Sequence, residues 1–257
     1  MQGHGIYRFL SGACFAVLIS IGAPAAAAQE TIVLTTTEWP PYSGSELREK
    51  GAAADVASRA LAKSGAKIAV EVMPWKRAIS TAKKGVSAIG YFPGYHCRHV
   101  AGFVASDPIG FGPLGFAEMA NKPIQWTTLS DVAEQGLRIG TVRGYANTEE
   151  FDQRVGAGWI RAIAAQTDTA NLLALARGRV DAAVIDQRVM QFLLKTEPEL
   201  KKVADKIRFD EVALEVKRLY ACFVDTEAGR KARDLLNAGL AQLSADLILA
   251  DYIRTLE

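Results

Sequence analysis

Two hydrophobic periodicities alternate along the first third of the chain. Runs rich in β-branched residues, such as 31–36, predict strands, and apolar residues spaced three and four apart predict helices between them. Pro74 and Gly85 mark the start and end of one helix. In order, the pattern predicts strand 31–36, helix 52–64, strand 67–73, helix 75–84 and strand 86–91. Strands that alternate with helices favour a parallel sheet covered by helices, which is an α/β fold.

The same alternation of strand and helix patterns begins again at residue 109 and continues through residue 256. Asn147 and Glu150 form a capping-box pattern ahead of one helix, and either Thr167 or Asp168 caps another that Gly178 ends. The other predicted elements are strands 109–117, 137–142, 180–185 and 219–224, and helices 129–134, 148–155, 227–243 and 245–256.

Candidate binding residues stand where predicted strands end. Trp39 follows the first strand, Trp75 the second, and Asp186 the strand 180–185. The carboxyl ends of parallel strands share one edge of a sheet, and α/β proteins bind ligands at that edge. The alternatives are a tryptophan packed over a loop and an aspartate that merely ends a strand.

A dense polar and aromatic cluster follows the strand 86–91. Pro93-Gly94 is expected to end that strand, because proline cannot donate to a ladder. The loop that results is a place where a rigid scaffold commonly presents binding groups. It carries Tyr95, His96, Cys97, Arg98 and His99.

The charge balance offers no electrostatic footprint for nucleic acid or an anionic membrane. The 257 residues include 30 Lys and Arg against 28 Asp and Glu, and the pI is about 8.4. His96 and His99 stand beside Cys97 without the second ligand pair that zinc requires, so the sequence predicts no metal and no other cofactor.

The N-terminus predicts export. Arg8 precedes the apolar run 9–21, and four alanines end at Ala28, which is typical of a signal peptide over 1–28 and of a periplasmic protein. We assign Cys14 to this discarded segment and not to a lipid anchor, since Ser11 occupies the position three residues before it where a leucine is expected.

Two cysteines, Cys97 and Cys222, remain in the mature chain. Disulfides persist in an oxidising compartment, but the sequence does not give the separation of the two residues. The sequence is therefore compatible both with a disulfide between Cys97 and Cys222 and with a buried free thiol at Cys222.

Six short segments, in their order and spacing, resemble one known family. They are similar to segments of the periplasmic solute-binding proteins of polar amino-acid ABC transporters, bacterial extracellular solute-binding protein family 3, over nearly all of the mature chain. The segments are WPPY at 39–42, ADV at 54–56, PWKRA at 74–78, SDP at 106–108, GTVRGY at 140–145 and GRVDAAVID at 178–186.

The resemblance implies a type II periplasmic-binding-protein fold. Such a protein has two α/β lobes, each a mainly parallel sheet flanked by helices, joined by two hinge crossings. Lobe 1 would comprise 29–110 and 207–257, and lobe 2 would comprise 111–206.

The resemblance also implies a role for each candidate residue. Trp39 and Trp75 would hold the ligand between them, with Arg98 on its carboxylate and Asp186 on its ammonium. Amide donors would come from the turn of Tyr145, Ala146 and Asn147. The chain departs from the family in its YFPGY segment, so the usual hydroxyl contacts to the ammonium would be missing or replaced by Tyr91, Tyr95 or backbone oxygens. Aligned without gaps, the arginine column falls on His99, so Arg98 reaches it only after a one-residue shift.

The implied function is the periplasmic substrate-binding component of an ABC uptake system. It would capture a small polar solute, an amino acid or a related carboxylate or zwitterion, and deliver it as a monomer to the permease subunits in the membrane. The alternative is a secreted dehydratase-like enzyme acting on a small cyclic carboxylic acid, with His96 or His99 as general acid. No paired carboxylate or oriented histidine is discernible in the sequence, so a binding protein is expected, not an enzyme. A receptor sensing domain is disfavoured, because no kinase or transmembrane segment follows.

Overall fold

The computed structural model describes residues 1–5, 29–97 and 100–256 of the chain. In these ranges the strands are β1 (Thr31–Thr36), β2 (Lys67–Val72), β3 (Gly90–Gly94), β4 (Phe103–Ala105), β5 (Gly110–Met119), β6 (Arg138–Val142), β7 (Arg161–Ala165), β8 (Ala182–Asp186) and β9 (Ile207–Val224). The helices are α1 (Ala52–Lys63), α2 (Trp75–Lys84), α3 (Leu129–Glu134), α4 (Glu149–Gly156), α5 (Asp168–Ala176), α6 (Gln187–Thr196), α7 (Pro198–Lys201), α8 (Glu227–Leu240) and α9 (Ala245–Arg254).

One pair of long strands joins two half-sheets. β5 and β9 run antiparallel, and β9 then continues beyond β5 to pair with β3 and β4. The hydrogen-bonded order is β2-β1-β3-β9-β5-β8-β6-β7, with β4 also beside β9. We call β1 to β4 with the end of β9 the first half-sheet, and β5 to β8 with the start of β9 the second half-sheet.

Two buried threonines hold the first half-sheet together where β1 ends. β1 pairs in parallel with β2 and β3, so these three strands end at one edge. The hydroxyl of Thr35 donates to the carbonyl of Ala78 in α2 at 2.8 Å, and that of Thr36 donates to the carbonyl of Phe92 in β3 at 2.6 Å. These bonds fix α2 and β3 against β1, which places Trp75, in the first turn of α2, beside the end of β1.

The second half-sheet likewise gathers three strand ends. β6 pairs in parallel with β7 and with β8, while β5 runs antiparallel to β8. A tight turn follows β6, in which the amide of Tyr145 donates to the carbonyl of Val142 at 3.1 Å and Gly144 has φ +84°. Glycine suits this left-handed position because it has no Cβ. The turn after β6 and the starts of α5 and α6 therefore lie along one edge.

The helices bury the core on both half-sheets. α1 packs against α8 and α9 and covers the first half-sheet, and α5 and α6 pack on the second. The larger core contains residues of both half-sheets and fully buries Leu34, Leu61 and Leu172, and a second core fully buries Phe116 and Ile139.

The strand predicted at 86–91 is displaced along the chain. β3 begins only at Gly90 and runs through Pro93 and Gly94, which were expected to end it. Its pairing with β9 moves from Tyr91 to Gly94 with a register shift, so the missing N–H of Pro93 leaves no ladder bond unmade.

The strand predicted at 219–224 is confirmed, but it is only the end of a longer strand. β9 has 18 residues, and its first part carries charges at alternate or adjacent positions that conceal the strand pattern. The prediction omitted β4, β7 and α6 as well. β7 exposes most of its residues at the sheet edge, so it lacks the apolar run by which buried strands are found.

The structure corrects one predicted helix cap and decides another that the sequence left open. Thr148, not Asn147, caps α4, because its hydroxyl accepts from the amide of Phe151 at 3.2 Å. Of the two residues left open for α5, Thr167 is the cap and accepts from the amide of Ala170 at 3.1 Å.

Cys97 and Cys222 form a disulfide that joins the segment after β3 to β9. This resolves the alternative that the sequence left open. The predicted signal peptide and Cys14 lie outside the described residues. In the described ranges, no helix is both long and apolar enough to cross a bilayer.

Candidate functional site

An aromatic pocket of about 100 Å³ lies between the two half-sheets. Tyr145 and Ala146, with Gly144, line it from the turn after β6, and every other described lining residue belongs to the first half-sheet or its loops. None of the described lining residues is Lys, Arg, Asp or Glu. The residues from the first side are Thr37, Trp39, Trp75, Ile79, Tyr91, Pro93, Gly94, Tyr95, His96 and Val100.

The structure brings five of the predicted site residues together in this pocket. They are Trp39, Trp75, Tyr91, Tyr145 and Ala146. They come from four chain segments that meet only because the ends of β1, β3 and β6 and the start of α2 converge. Arg98 and His99 lie outside the described residues, so the choice between them stays a prediction.

Trp39 is held by a compact turn just after β1. Its backbone N–H donates to the carbonyl of Ser43 at 2.8 Å, and its carbonyl accepts from the amides of Tyr42 and Ser43. Its ring stacks on Tyr42 with centroids 4.6 Å apart and meets the ring of Tyr95 edge-on at 5.7 Å. The indole is 8% exposed, so it forms a rigid wall.

Tyr91 supports the pocket from behind. Its ring contacts those of Trp75 and Phe103 edge-on, with centroids 5.4 and 4.9 Å away. Burial raises the pKa of its phenol to about 12, so the hydroxyl stays protonated and can donate. The half-buried Trp75 is the more accessible of the two rings.

Asn147 is engaged within its own half of the molecule. It is 8% exposed and does not line the aromatic pocket. Its backbone N–H donates to one carboxylate oxygen of Asp152 at 2.9 Å, and its side-chain amide donates to the other at 2.8 Å. Its backbone amide thus has an internal acceptor.

Asp186 also has partners inside the protein. One of its oxygens accepts from the amides of Arg188 at 2.8 Å and Val189 at 3.2 Å, which caps α6. The hydroxyl of Tyr42, from the opposite half-sheet, lies 3.1 Å from both oxygens. Burial raises the pKa of Asp186 to about 7, although these bonds oppose the rise.

A glycine on β5 makes room for this contact between the halves. A Cβ at Gly112 would overlap both a carboxylate oxygen of Asp186 and the hydroxyl of Tyr42. The bond between Tyr42 and Asp186 therefore lies against one of the two long strands that join the half-sheets.

Tyr95 links the aromatic pocket to charged groups behind it. The ammonium of Lys217, on β9, lies 5.6 Å from the centre of its ring and 3.1 Å from a carboxylate oxygen of Glu215. Burial raises the pKa of the Tyr95 phenol well above its usual value, and the charge of Asp186 raises it further.

A wider polar cleft of about 770 Å³ adjoins the aromatic pocket and shares Thr37, Trp75 and Tyr145 with it. Among the residues that the structure describes, its charged lining residues are Glu38 and Lys76 from the first half of the molecule and Arg143, Asp168 and Glu197 from the second. Asp168 is the buried one of these five, at 8% exposure.

The sequence pattern missed Asp168 and Tyr42 as site residues. Asp168 was considered only as a helix cap, and Tyr42 only as the last residue of the WPPY segment. A polar residue one position into a helix is common in caps, so the sequence alone carries no sign that this carboxylate is buried in a cleft.

No protein-family model matches the chain, and no curated protein matches it. Solved structures do. The amino-acid ABC transporter substrate-binding protein AbpA of Streptococcus pneumoniae, bound to L-arginine, matches with a TM-score of 0.66 at 12% identity, over 88% of this chain and 95% of that one.

Two further solved structures match with similar TM-scores. The GluR0 ligand-binding core of Nostoc punctiforme, in complex with L-glutamate, has a TM-score of 0.63 at 16% identity, over 88% of this chain and 96% of that one. The periplasmic VFT2 domain of Bordetella pertussis BvgS has a TM-score of 0.65 at 14% identity, over 88% and 93%. The chain has the two-lobed periplasmic-binding-protein fold. The fold that the resemblance implied is thus confirmed.

Proposed function

We propose that this protein is a periplasmic solute-binding protein that captures a small polar solute between its two lobes. The lobes comprise 29–110 with 207–257, and 111–206. The solute is an amino acid or a related carboxylate or zwitterion, and the membrane subunits of an ABC permease receive it from the monomer. The observation that supports this proposal most strongly is the aromatic pocket, whose walls come from both half-sheets.

The residues that line the aromatic pocket support the binding of a small solute. Ligand sites are concave and mostly apolar, with a few polar groups that fix orientation. Here Trp39, Trp75 and Tyr95 supply apolar faces, while Thr37 and the turn at Tyr145 supply polar atoms. A site whose walls belong to two halves joined by two strands favours closure around the ligand by hinge motion.

The predicted polar contacts complete the proposal. Arg98 binds the ligand carboxylate through its planar fork, and Ala146 and Asn147 belong to the turn that closes over it. Asp186 takes the ammonium, and its bond to Tyr42 then opens when ligand enters.

A thermal-shift screen of amino acids and small carboxylates tests the function. A true ligand raises the melting temperature and is recovered unchanged by mass spectrometry. Conversion of the ligand would instead establish the dehydratase-like alternative. If none of these solutes raises the melting temperature, the proposal fails.

Matched variants then test the site by titration calorimetry with the ligand found. Trp75→Ala should weaken binding at least tenfold, whereas Trp159→Ala should not, because Trp159 is 65% exposed and lines no part of the pocket. Arg98→Ala should cost about 2 to 5 kcal/mol of binding free energy, as truncating one partner of a buried charge pair does. A large loss from His99→Ala beside a tolerant Arg98→Ala would reassign the anion site.

A further inference from the structure

Asp168 is a buried carboxylate in the polar cleft to which the resemblance gives no role. It is the first residue of α5 and lies at the cleft wall opposite Glu38 and Trp75. It is 8% exposed, yet it forms no ion pair with any described residue. Asp168 accepts a hydrogen bond from the phenol of Tyr145, whereas Asp186 is bonded to Tyr42 and to two amides.

Among the described residues, no cation compensates the negative charge of Asp168. Burial raises the pKa of Asp168 to about 7, and the charge of Asp186 adds to the rise, while the phenol of Tyr145 opposes it. Burying an ionised carboxylate without a cation is costly unless another group supplies the charge. The other titratable groups that face Asp168 or share its cleft are Tyr95, Glu38, Lys76, Arg143 and Glu197.

The cleft around Asp168 is suited to an organic cation. Lys76 and Arg143, its positive lining residues, are exposed and make no ion pair with Asp168 among the described residues. Trp75 and Tyr145 line both the cleft and the aromatic pocket. Aromatic faces attract ammonium and guanidinium groups, most strongly where water is excluded.

We propose that Asp168 and Tyr145 form a subsite for a positively charged group of the ligand, an ammonium or a guanidinium, next to the aromatic pocket. This inference rests on the proposed function and narrows its substrate class to solutes with a basic group. Such a ligand places its apolar stem along Trp75 and its cationic end against Asp168.

The test compares solutes that differ in charge but little in shape. L-arginine and L-citrulline form one pair, and putrescine and 1,4-butanediol form another. Titration calorimetry at pH 8 measures all four on the wild type, on Asp168→Asn and on Asp205→Asn. Asp205→Asn is the matched control, because Asp205 is exposed and lines neither the pocket nor the cleft.

In at least one of the two pairs, the wild type and Asp205→Asn should bind the solute with the additional positive charge at least tenfold more tightly than the other solute of that pair. Asp168→Asn should abolish that preference and leave the uncharged member unchanged. In the wild type, the preference for the cationic solute should also weaken from pH 8 to pH 6, because the carboxylate of Asp168 gains a proton. In Asp168→Asn, the relative affinity of the two solutes should not change with pH. Because asparagine keeps the size of the side chain, the melting temperature of Asp168→Asn checks that it folds.

Two results overturn the inference and leave the proposed function standing. One is binding of uncharged or anionic solutes with no cationic preference. The other is a cationic preference that survives in Asp168→Asn. If no solute of this set or of the amino-acid and carboxylate screen binds, the proposed function and the inference fail together.

Discussion

The two sides of the cleft are made of different chemistry. The first half-sheet contributes aromatic rings, with Trp39 and Tyr95 in edge contact and Trp75 in contact with Tyr91. The second contributes a backbone turn and the buried carboxylate of Asp168, and the charge of the buried Asp186 acts on Asp168 without Asp186 lining the cleft. Aromatic rings offer a ligand a large contact area without requiring a particular charge, whereas carboxylates and amides distinguish between positive and negative groups of the ligand. One wall is thus suited to affinity and the other to selectivity.

The two walls are also held in place by different means. The loop that carries Tyr95 is fixed covalently, since Cys97 is bonded to Cys222 in β9. The carboxylates are fixed by the helices that begin at or beside them. Changes to the disulfide should therefore act on the aromatic wall, and changes to the carboxylates on the opposite one.

Removing the disulfide should have the largest effect. The double variant Cys97→Ala, Cys222→Ala should lose about 2 to 5 kcal/mol of unfolding free energy, because the bridge constrains the unfolded chain. Urea denaturation followed by circular dichroism measures this, with reduced wild type as the matched sample. Equal stability of the reduced wild type and the oxidised one would contradict the prediction.

The carboxylate wall should make stability depend on pH. The folded-state pKa values of Asp168 and Asp186 are raised to about 7, above the unfolded value, so the folded state holds protons more tightly between pH 4 and 7. The unfolding free energy should accordingly fall as pH rises from 5 to 8, on the order of 1 to 3 kcal/mol for each carboxylate. Asp168→Asn and Asp186→Asn should each flatten this slope, and Asp205→Asn should preserve it. A slope unchanged in both cleft variants would show that other groups cause it.

A methyl group at Gly112 should disturb the place where the two walls touch. Gly112→Ala brings a Cβ into the carboxylate of Asp186 and the hydroxyl of Tyr42, and overpacking of this kind costs about 1 to 3 kcal/mol. Thermal unfolding should show the loss. Gly156→Ala is the control, because nothing lies within 4 Å of its added Cβ at the end of α4. Equal melting temperatures for the two variants would rule out the steric conflict.

Deleting a single hydroxyl should have the smallest effect. Tyr42→Phe removes the donor between the halves and keeps the ring stacked on Trp39, so the expected loss is about 0.5 to 1.5 kcal/mol. The pKa of Asp186 should rise, because the Tyr42 bond lowers it. Carboxyl chemical shifts in an NMR titration would report this, and an unchanged pKa would mean that the bond contributes nothing to the ionised form.

Sequence periodicity predicted the parts of the fold that carry a repeating apolar face. The ends of β1 and the start of α2 placed Trp39 and Trp75 at one edge, because parallel strands end together. The sequence revealed only the last six residues of β9, because the charged residues of its first part interrupt the apolar pattern of a strand. Nor did it separate Asn147 from Thr148 as a cap, because both side chains can accept from an amide.

The sequence predicted those site residues that directly follow a strand, because the ends of strands can be located from the sequence. Aromatic residues after β1 and β3 could be placed, but Asp168 could not, because its burial depends on how the second half-sheet faces the first. The disulfide depended on a distance between residues 125 apart in sequence, which no local pattern encodes.

The long strand β9 has a consequence for the order in which the chain can fold during synthesis. β3 and β4 both pair with residues 220–224, close to the end of the chain, so the sheet that begins the sequence needs its last strand before it is complete. Contacts between distant segments form slowly, because the entropy of closing the loop is lost before the contacts compensate for it. A nascent chain that ends anywhere before β9 therefore lacks a finished sheet on either side, and stable folding requires residues 207–224.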